Sequence, residues 1–121
     1  MPSDLRFLAD EDYCYLTTKG RVTGTAHEIE IWFALQPVTR ALYMLSDSDR
    51  SDWVKNLRQD SRVTVRVAGE RFEGRARVVE DPAEDELARR LLVGKYEDNP
   101  GSLANWGRTA LPVAVDLGIL R

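Results

Sequence analysis

Arg62-Val63-Thr64-Val65-Arg66-Val67-Ala68-Gly69-Glu70-Arg71-Phe72-Glu73-Gly74-Arg75-Ala76-Arg77-Val78 is the stretch on which the fold turns. Val63, Val65 and Val67 alternate with Thr64 and Arg66. Beyond Ala68-Gly69-Glu70, the residues Phe72, Gly74, Ala76 and Val78 alternate with Glu73, Arg75 and Arg77. Successive side chains of a strand point to opposite faces, so this alternation on both sides of a glycine-containing turn predicts a hairpin with one buried face.

Upstream, Tyr13 to Thr18 is a β-rich run that ends in Lys19-Gly20-Arg21. His27 to Leu35 alternates again, with Ile29, Ile31 and Phe33 on one face and Glu28, Glu30 and Trp32 on the other. Between these two strands Gly20 and Gly24 allow a sharp turn that presents backbone N–H groups. Ala41 to Leu45 is a further strand. The polar stretch Ser46 to Asp52 leads into Trp53-Val54-Lys55-Asn56-Leu57-Arg58, where Trp53 and Leu57 share a helical face and Ser51 or Asp52 is the cap.

Downstream lies the strongest helix signal. Asp81 stands at the N-cap, Pro82 at the first helical position and Glu84 where a capping box wants it, while Leu87, Ala88, Leu91 and Leu92 form an apolar stripe ending near Gly94. Asn99-Pro100-Gly101 reads as a turn, Trp106 and Arg108 as linker, and Leu111 to Leu117 as a last strand. Pro112 there marks an edge or a strand start. About six strands and two helices with hairpin-like spacing argue for an antiparallel barrel or open sheet with helices packed on it, and against regular βαβ alternation.

The 121 residues allow one domain, 1–121, and 43% apolar with 31% charged residues is ordinary soluble composition. Lys and Arg number 17 against 20 Asp and Glu, a net charge of −3 that disfavours a nucleic-acid backbone or an anionic membrane as partner. A single cysteine, Cys14, no Asn-x-Ser/Thr sequon, an acidic Met1 to Asp12 without the pattern of a secretory signal, and no apolar run long enough to span a bilayer together predict a cytoplasmic protein.

Few catalytic constellations are available. His27 is the only histidine, so neither a two-histidine metal site nor a thiolate zinc cluster can form, and no metal is expected. Cys14 and His27 are conceivable as a nucleophile pair, against a structural thiol in an apolar strand. Glu28 and Glu30 lie about 6.6 Å apart by strand rise, near a glycosidase spacing, against two surface carboxylates paired with arginines. The Gly20-Arg21-Val22-Thr23-Gly24 turn combines N–H groups, a Thr hydroxyl and a guanidinium, the pieces of a phosphate cradle, against an ordinary hairpin turn. The start of the Trp53 helix is a second anion site or simply a capped helix. Arg62, Arg66, Arg71, Arg75 and Arg77 interleave with Glu70, Glu73 and Glu80, a basic stripe or a charge-balanced face. Trp32, Trp53 and Trp106 either line one pocket for a planar ring or pack separately in the core.

Taken together, Leu16-Thr17-Thr18-Lys19-Gly20-Arg21-Val22-Thr23-Gly24, Trp53-Val54-Lys55-Asn56-Leu57, Arg62-Val63-Thr64-Val65 and the closing Arg108-Thr109-Ala110-Leu111-Pro112-Val113-Ala114-Val115 resemble the deazaflavin (F420)-dependent nitroreductase family. The resemblance runs from Tyr13 to Leu117 and implies a mainly β (α+β) fold, a six-stranded antiparallel split β-barrel of the FMN-binding-like superfamily with two or three packed helices. It implies an oxidoreductase that passes a hydride from reduced coenzyme F420 to a small electron-poor acceptor such as a quinone, nitro or enone compound.

Carried over by motif, Thr18, Lys19, Gly20, Arg21, Thr23 and Gly24 would surround the coenzyme's phosphate, with His27 as a further donor. Ser46, Trp53, Asn56 and Leu57 would lie along its ring and side chain, and Tyr96 and Trp106 would belong to the substrate pocket. The chain departs from the family at Val22, where a basic residue is common, at His27, where an arginine is common, and in a lid that offers Tyr96 but no further tyrosine. Nitro-drug reduction is therefore not implied. Water, Tyr96 or His27 would supply the product's proton. The rival readings are an FMN-binding pyridoxamine-phosphate-oxidase-like enzyme and a non-catalytic flavin- or tetrapyrrole-binding module, and relatives of this fold often form homodimers.

Overall fold

The hairpin read at Arg62 to Val78 forms the middle of the sheet in the computed structural model, which describes residues 6–118. β5 (Arg62–Val67) and β6 (Glu70–Val78) pair antiparallel with Val65 opposite Phe72 and Val63 opposite Gly74. Ala68 and Gly69 make the two-residue turn, both with positive φ, 53° and 78°. That is the backbone whose twist matches the flanking strands. The reading of Met1 to Asp12 as free of a leader, and the outer limits of a domain 1–121, fall partly on residues 1–5 and 119–121, outside the described residues.

The other strands build outward from the hairpin. β1 (Cys14–Lys19) pairs with β5 and with β2 (Ala26–Ile31); on the other side β7 (Leu111–Leu117) pairs with β6, followed by β4 (Ala41–Ser46) and β3 (Ala34–Gln36). The order β2-β1-β5-β6-β7-β4-β3 is antiparallel throughout, a curled half-barrel whose two free edges are β2 and β3. A short 3-10 turn, Arg6–Asp10, precedes it, and α1 (Asp52–Gln59), α2 (Pro82–Tyr96) and α3 (Ala104–Thr109) pack on it.

Seven strands stand where six were expected. The run His27 to Leu35 is two strands, because the backbone leaves the ladder at Trp32 and Phe33. The cause lies far along the chain. Tyr96 Oη shares its proton between the carbonyls of Asp12 and Phe33, 2.8 Å each, and accepts the Phe33 N–H at 3.0 Å. Lys95 Nζ donates to the Phe33 carbonyl at 2.9 Å and sits 3.9 Å above the Phe33 ring.

Two apolar layers hold the sheet. Leu16, Leu42, Met44, Val65, Val113 and Val115 fill the concave side with Val54 and Leu57 of α1, while Tyr43, Leu45 and Ala114 meet Ala88 and Leu92 of α2 on the other side. β4 therefore has every residue buried, its side chains alternating between the layers. Each large aliphatic side chain buried this way contributes about 1.5–3 kcal/mol.

Other local expectations are met or refined. α2 ends at Tyr96, just beyond Gly94. Asp81 caps it by accepting the Glu84 N–H at 2.9 Å, but no reciprocal bond closes a capping box, because the Glu84 carboxylate is held by Arg77 at 2.6 and 2.8 Å and by the Tyr43 hydroxyl at 2.8 Å. Trp106 and Arg108 stand on α3 rather than in a linker. Pro112 marks a strand start, since β7 lies inside the sheet between β6 and β4. Among the described residues three of the five arginines pair with acids, and not with Glu70, Glu73 or Glu80. Arg62 pairs with Asp60, Arg66 with Glu28, and Arg77 with both Glu84 and Asp116.

Candidate functional site

The turn between β1 and β2 rests on α1. Gly20 N–H donates to Thr25 O at 2.8 Å and Gly24 N–H to Gly20 O at 2.9 Å, closing the loop, with Gly24 at φ 77°. Gly20 is needed for a second reason: a Cβ there would lie 2.9 Å from both His27 Nε2 and Thr25 O, so the His27 ring lies directly against this glycine. Buried Asn56 of α1 then ties the turn down. Its Oδ1 accepts the Arg21 N–H at 3.2 Å and the Arg21 guanidinium at 2.8 Å, and its Nδ2 donates to the buried Thr18 hydroxyl at 3.2 Å. The Arg21 guanidinium also reaches Asp52 at 3.3 Å.

A cleft of about 500 Å³ opens beside this arrangement, lined on one side by Gly20, Arg21, Val22, Thr23 and Thr18, on another by His27, Glu28 and Ile29 of β2, and along its floor by Asp52, Trp53 and Asn56. Seven of the residues singled out in the sequence thus meet at one place: Thr18, Gly20, Arg21, Thr23, His27, Trp53 and Asn56. Lys19 and Gly24 lie around the corner of the turn, in a hollow of about 280 Å³ shared with Arg21 and Asp60. Ser46 and Leu57 are not in the cleft wall. The Ser46 hydroxyl bonds Ser48 O at 2.7 Å and Ser51 Oγ at 2.9 Å, and Leu57 is buried in the core beneath. Val22 of the same turn, Asp52 at the start of α1, and Glu28 and Ile29, which the alternation after His27 places on β2, complete the lining.

The donor set suits an anion. Among the described residues no acceptor pairs with the N–H of Val22 or Thr23, and Val22 is 87% exposed at the mouth of the turn. Ser51 occupies the N-cap of α1, but its hydroxyl is turned to Ser46 and caps no N–H, so the helix is not the ordinary capped one and its positive end faces the cleft. The Asp52 carboxylate beside Arg21 is 86% exposed, and such a surface ion pair is worth little, so an arriving phosphate can displace it at small cost. These groups fit an anionic group such as a phosphate.

The tryptophans divide between two places. Trp53 lines the first cleft, whereas Trp32 and Trp106 line a second cavity of about 450 Å³ with Tyr13, Glu30, Ile31, Leu45 and Leu103. Trp32 stacks face to face on Tyr96, centroids 4.2 Å apart, and meets Trp106 edge-on at 5.6 Å. Tyr96 is therefore behind the wall and Trp106 in it. Burial pushes the Tyr96 phenol up to about 12. Trp106 is set by the seating of α3, where a Cβ on Gly107 would collide with the Val93 side chain of α2 and Arg89 donates to the Gly107 carbonyl at 3.0 Å.

Two other candidates resolve differently. Cys14 pairs across the ladder with Ile31, and His27 with Thr18 four residues along β1, about 13 Å away by strand rise. Burial pushes the Cys14 thiol up to about 12, as for a structural thiol. Glu28 pairs with Arg66, but Glu30 accepts the Tyr15 hydroxyl at 2.7 Å instead of an arginine.

A curled antiparallel half-barrel of seven strands with three helices is the split-barrel, FMN-binding-like fold. Residues 5–118 match the F420H(2)-dependent quinone reductase family, and the chain belongs to that family, which makes it an F420-dependent reductase. Its fold is similar to that of an F420-H2 dependent reductase (TM-score 0.68, 17% identity, 86% of this chain and 93% of that one). It is also similar to a FAD-binding protein from Mesorhizobium loti (0.65, 18%, 94% and 86%) and a conserved hypothetical protein from Mycobacterium tuberculosis (0.72, 21%, 96% and 77%). No curated protein matches the chain. No helix among the described residues is long and apolar enough to cross a membrane.

Proposed function

We propose that the protein transfers a hydride from reduced F420 to a small electron-poor acceptor, a quinone, nitro or enone compound, with the cofactor's phosphate end in the Gly20–Gly24 turn. The observation that carries this is the convergence of free N–H groups, the Arg21 guanidinium and the uncapped start of α1 on one cleft. When bound, reduced F420 supplies the hydride. The protein binds, orients and excludes water.

Arg21 clamps the anion, held in place by Asn56, and Trp53 and Ile29 give the ring an apolar floor. His27 lies against Gly20 at the phosphate end of the cleft as a further donor to the anion, and the Tyr96 proton is engaged with two backbone carbonyls, which leaves water as the product's proton source. A solved structure of similar fold is a domain-swapped dimer, which supports a homodimer here, and the buried lone thiol of Cys14 supports a cytosolic location, both as proposals.

Parallel fluorescence titrations with F420 and FMN test the reading. Saturable quenching by F420 is expected. Preference for FMN would move the protein to the oxidase-like branch, and tight binding without reduction of any quinone or nitroaromatic would make it a carrier.

A further inference from the structure

We propose that His27 enters the cofactor complex as an imidazolium, so that the cofactor's anion and one proton bind together and the complex tightens as pH falls. The proposal rests on the F420 reading above and gives His27 a charge-bearing role in the same cleft.

Strand pairing sets where the ring lies. His27 stands opposite Thr18 in the β1–β2 ladder, and directly opposed residues share a sheet face, so His27 is on the side where the buried Thr18 hydroxyl meets Asn56. From there its Nε2 reaches to 2.9 Å from the place a Gly20 Cβ would take. The glycine that helps close the turn thus also makes room for a ring nitrogen at the anion end of the cleft.

That ring is uncommitted. Among the described residues no hydrogen bond or ion pair engages His27, although it shares the cleft with Arg21, Thr23 and Asn56. The charged groups around it are engaged elsewhere. Arg21 of the turn and Asp52 of α1 pair with each other at 3.3 Å, while Glu28, next along β2 and on the opposite face, pairs with Arg66 at 3.4 Å. Lys19, one residue past Thr18 on β1, lines the hollow around the corner. The empty cleft therefore offers His27 no free carboxylate, and an arriving phosphate is the group that can hold a proton on the ring.

Histidine is the side chain whose charge ordinarily changes between about pH 5 and 8. A hydrogen bond to an oxyanion is stronger from the charged ring than from the neutral one, so the complex holds the proton more tightly than the empty protein does. By linkage, a group that takes up a proton on binding strengthens the complex at low pH, and that gain is lost as pH rises past the range where the bound ring discharges. Arg21 contributes no such dependence, because a guanidinium stays charged throughout.

His27 is the only histidine in the chain, so histidine ring resonances report this one site. The test follows them by NMR from about pH 5 to 9 in the untagged protein. Three samples are compared: the protein alone, with saturating F420, and with sulfate, an anion that does not titrate in this range, at ionic strength matched with sodium chloride. F420 should raise the titration midpoint by about one pH unit, which corresponds to about tenfold tighter binding at the acid end than at the alkaline end. Sulfate should raise it as well. His27 is exposed, so replacing it leaves the core intact. His27→Gln keeps a neutral donor and should bind F420 with an affinity that no longer follows this proton, whereas His27→Arg should bind tightly throughout. Any titration of the cofactor itself is common to the three proteins and cancels in the comparison. An unmoved midpoint with F420 bound, or the same pH dependence of affinity in His27→Gln as in the wild type, overturns the proposal. Failure of F420 to bind overturns the cofactor reading instead, and a midpoint that sulfate also leaves unmoved would then overturn the role of His27 too.

Discussion

Asn56 Oδ1 receives two bonds from Arg21, the backbone N–H at 3.2 Å and the guanidinium at 2.8 Å, across 35 residues of sequence. The residue nominally on the helix is thus what shapes the turn. Arg21→Ala should weaken F420 binding by about 1.5–3 kcal/mol, the scale of a charged hydrogen bond. Asn56→Ala should lower affinity as well, and in addition cost about 1–3 kcal/mol of stability by leaving the buried Thr18 hydroxyl and the Arg21 N–H without a partner. Fluorescence titration and urea unfolding of the two variants separate binding from folding; equal stability loss in both would refute this division of labour.

Gly20→Ala places a methyl group against His27 Nε2 and the Thr25 carbonyl. Overpacking of this kind costs about 1–3 kcal/mol, and here it also distorts the N–H groups of the turn. Both unfolding midpoint and F420 affinity should fall. Adding His27→Ala should restore only part of either, since the backbone carbonyl stays in the way.

Tyr96→Phe keeps the stack on Trp32 and removes the hydroxyl that holds Phe33 and Asp12. The variant should lose about 1–2 kcal/mol of stability. Its kcat should stay within a few-fold of wild type with an acceptor KM that rises. Collapse of kcat with unchanged KM would make the phenol the proton source after all.

The Arg77 guanidinium beside Glu84 holds that carboxyl below its usual range, with the Tyr43 hydroxyl adding to the effect. A depressed carboxylate contributes stability that is present above the ordinary carboxylate pKa and lost as pH falls through the depressed one. Stability should therefore decline below about pH 4.5, and Glu84→Gln should flatten that limb. At the alkaline end Tyr43 is raised from 10.0 to about 12, by burial first and by its bond to Glu84 second, so its contribution fades as pH climbs between those values. Tyr43→Phe should remove part of this second limb in urea melts run across pH.

Ala68 sits at φ 53° in the β5–β6 turn. A left-handed conformation costs a Cβ-bearing residue roughly 1–2 kcal/mol, and glycine or asparagine bears it better. Ala68→Gly or Ala68→Asn should raise the unfolding midpoint, with a gain of up to about 1 kcal/mol. A lower midpoint in both would argue against the turn geometry.

Local chemistry made much of this molecule readable in advance. The β5–β6 hairpin, the backbone bonds that close the turn at Gly20 and Gly24, and the Asp81 cap each depend on residues within a few positions of one another. What escaped depends on partners far apart in the chain. The break at Trp32 and Phe33 exists because Lys95 and Tyr96 capture the Phe33 backbone from more than 60 residues away. α3 was missed since its six residues include Gly107 and carry little helical pattern, and it is docking on α2 that makes it a helix. At the candidate site, the motif residues were found together because one turn and one helix supply them. The second cavity is legible only through Trp32 and Trp106, for its other walls come from β2, β4 and the approach to α3.

β2 ends the sheet with its outer edge unpaired, and its exposed residues His27, Glu28 and Glu30 are polar. An open strand edge invites the same strand of another molecule to add to it, and charged side chains are a common guard against that. The strand that borders both clefts is thus also the place where the protein resists polymerising. Neutralising Glu28 and Glu30 together should leave the protein folded yet shorten its shelf life in concentrated solution.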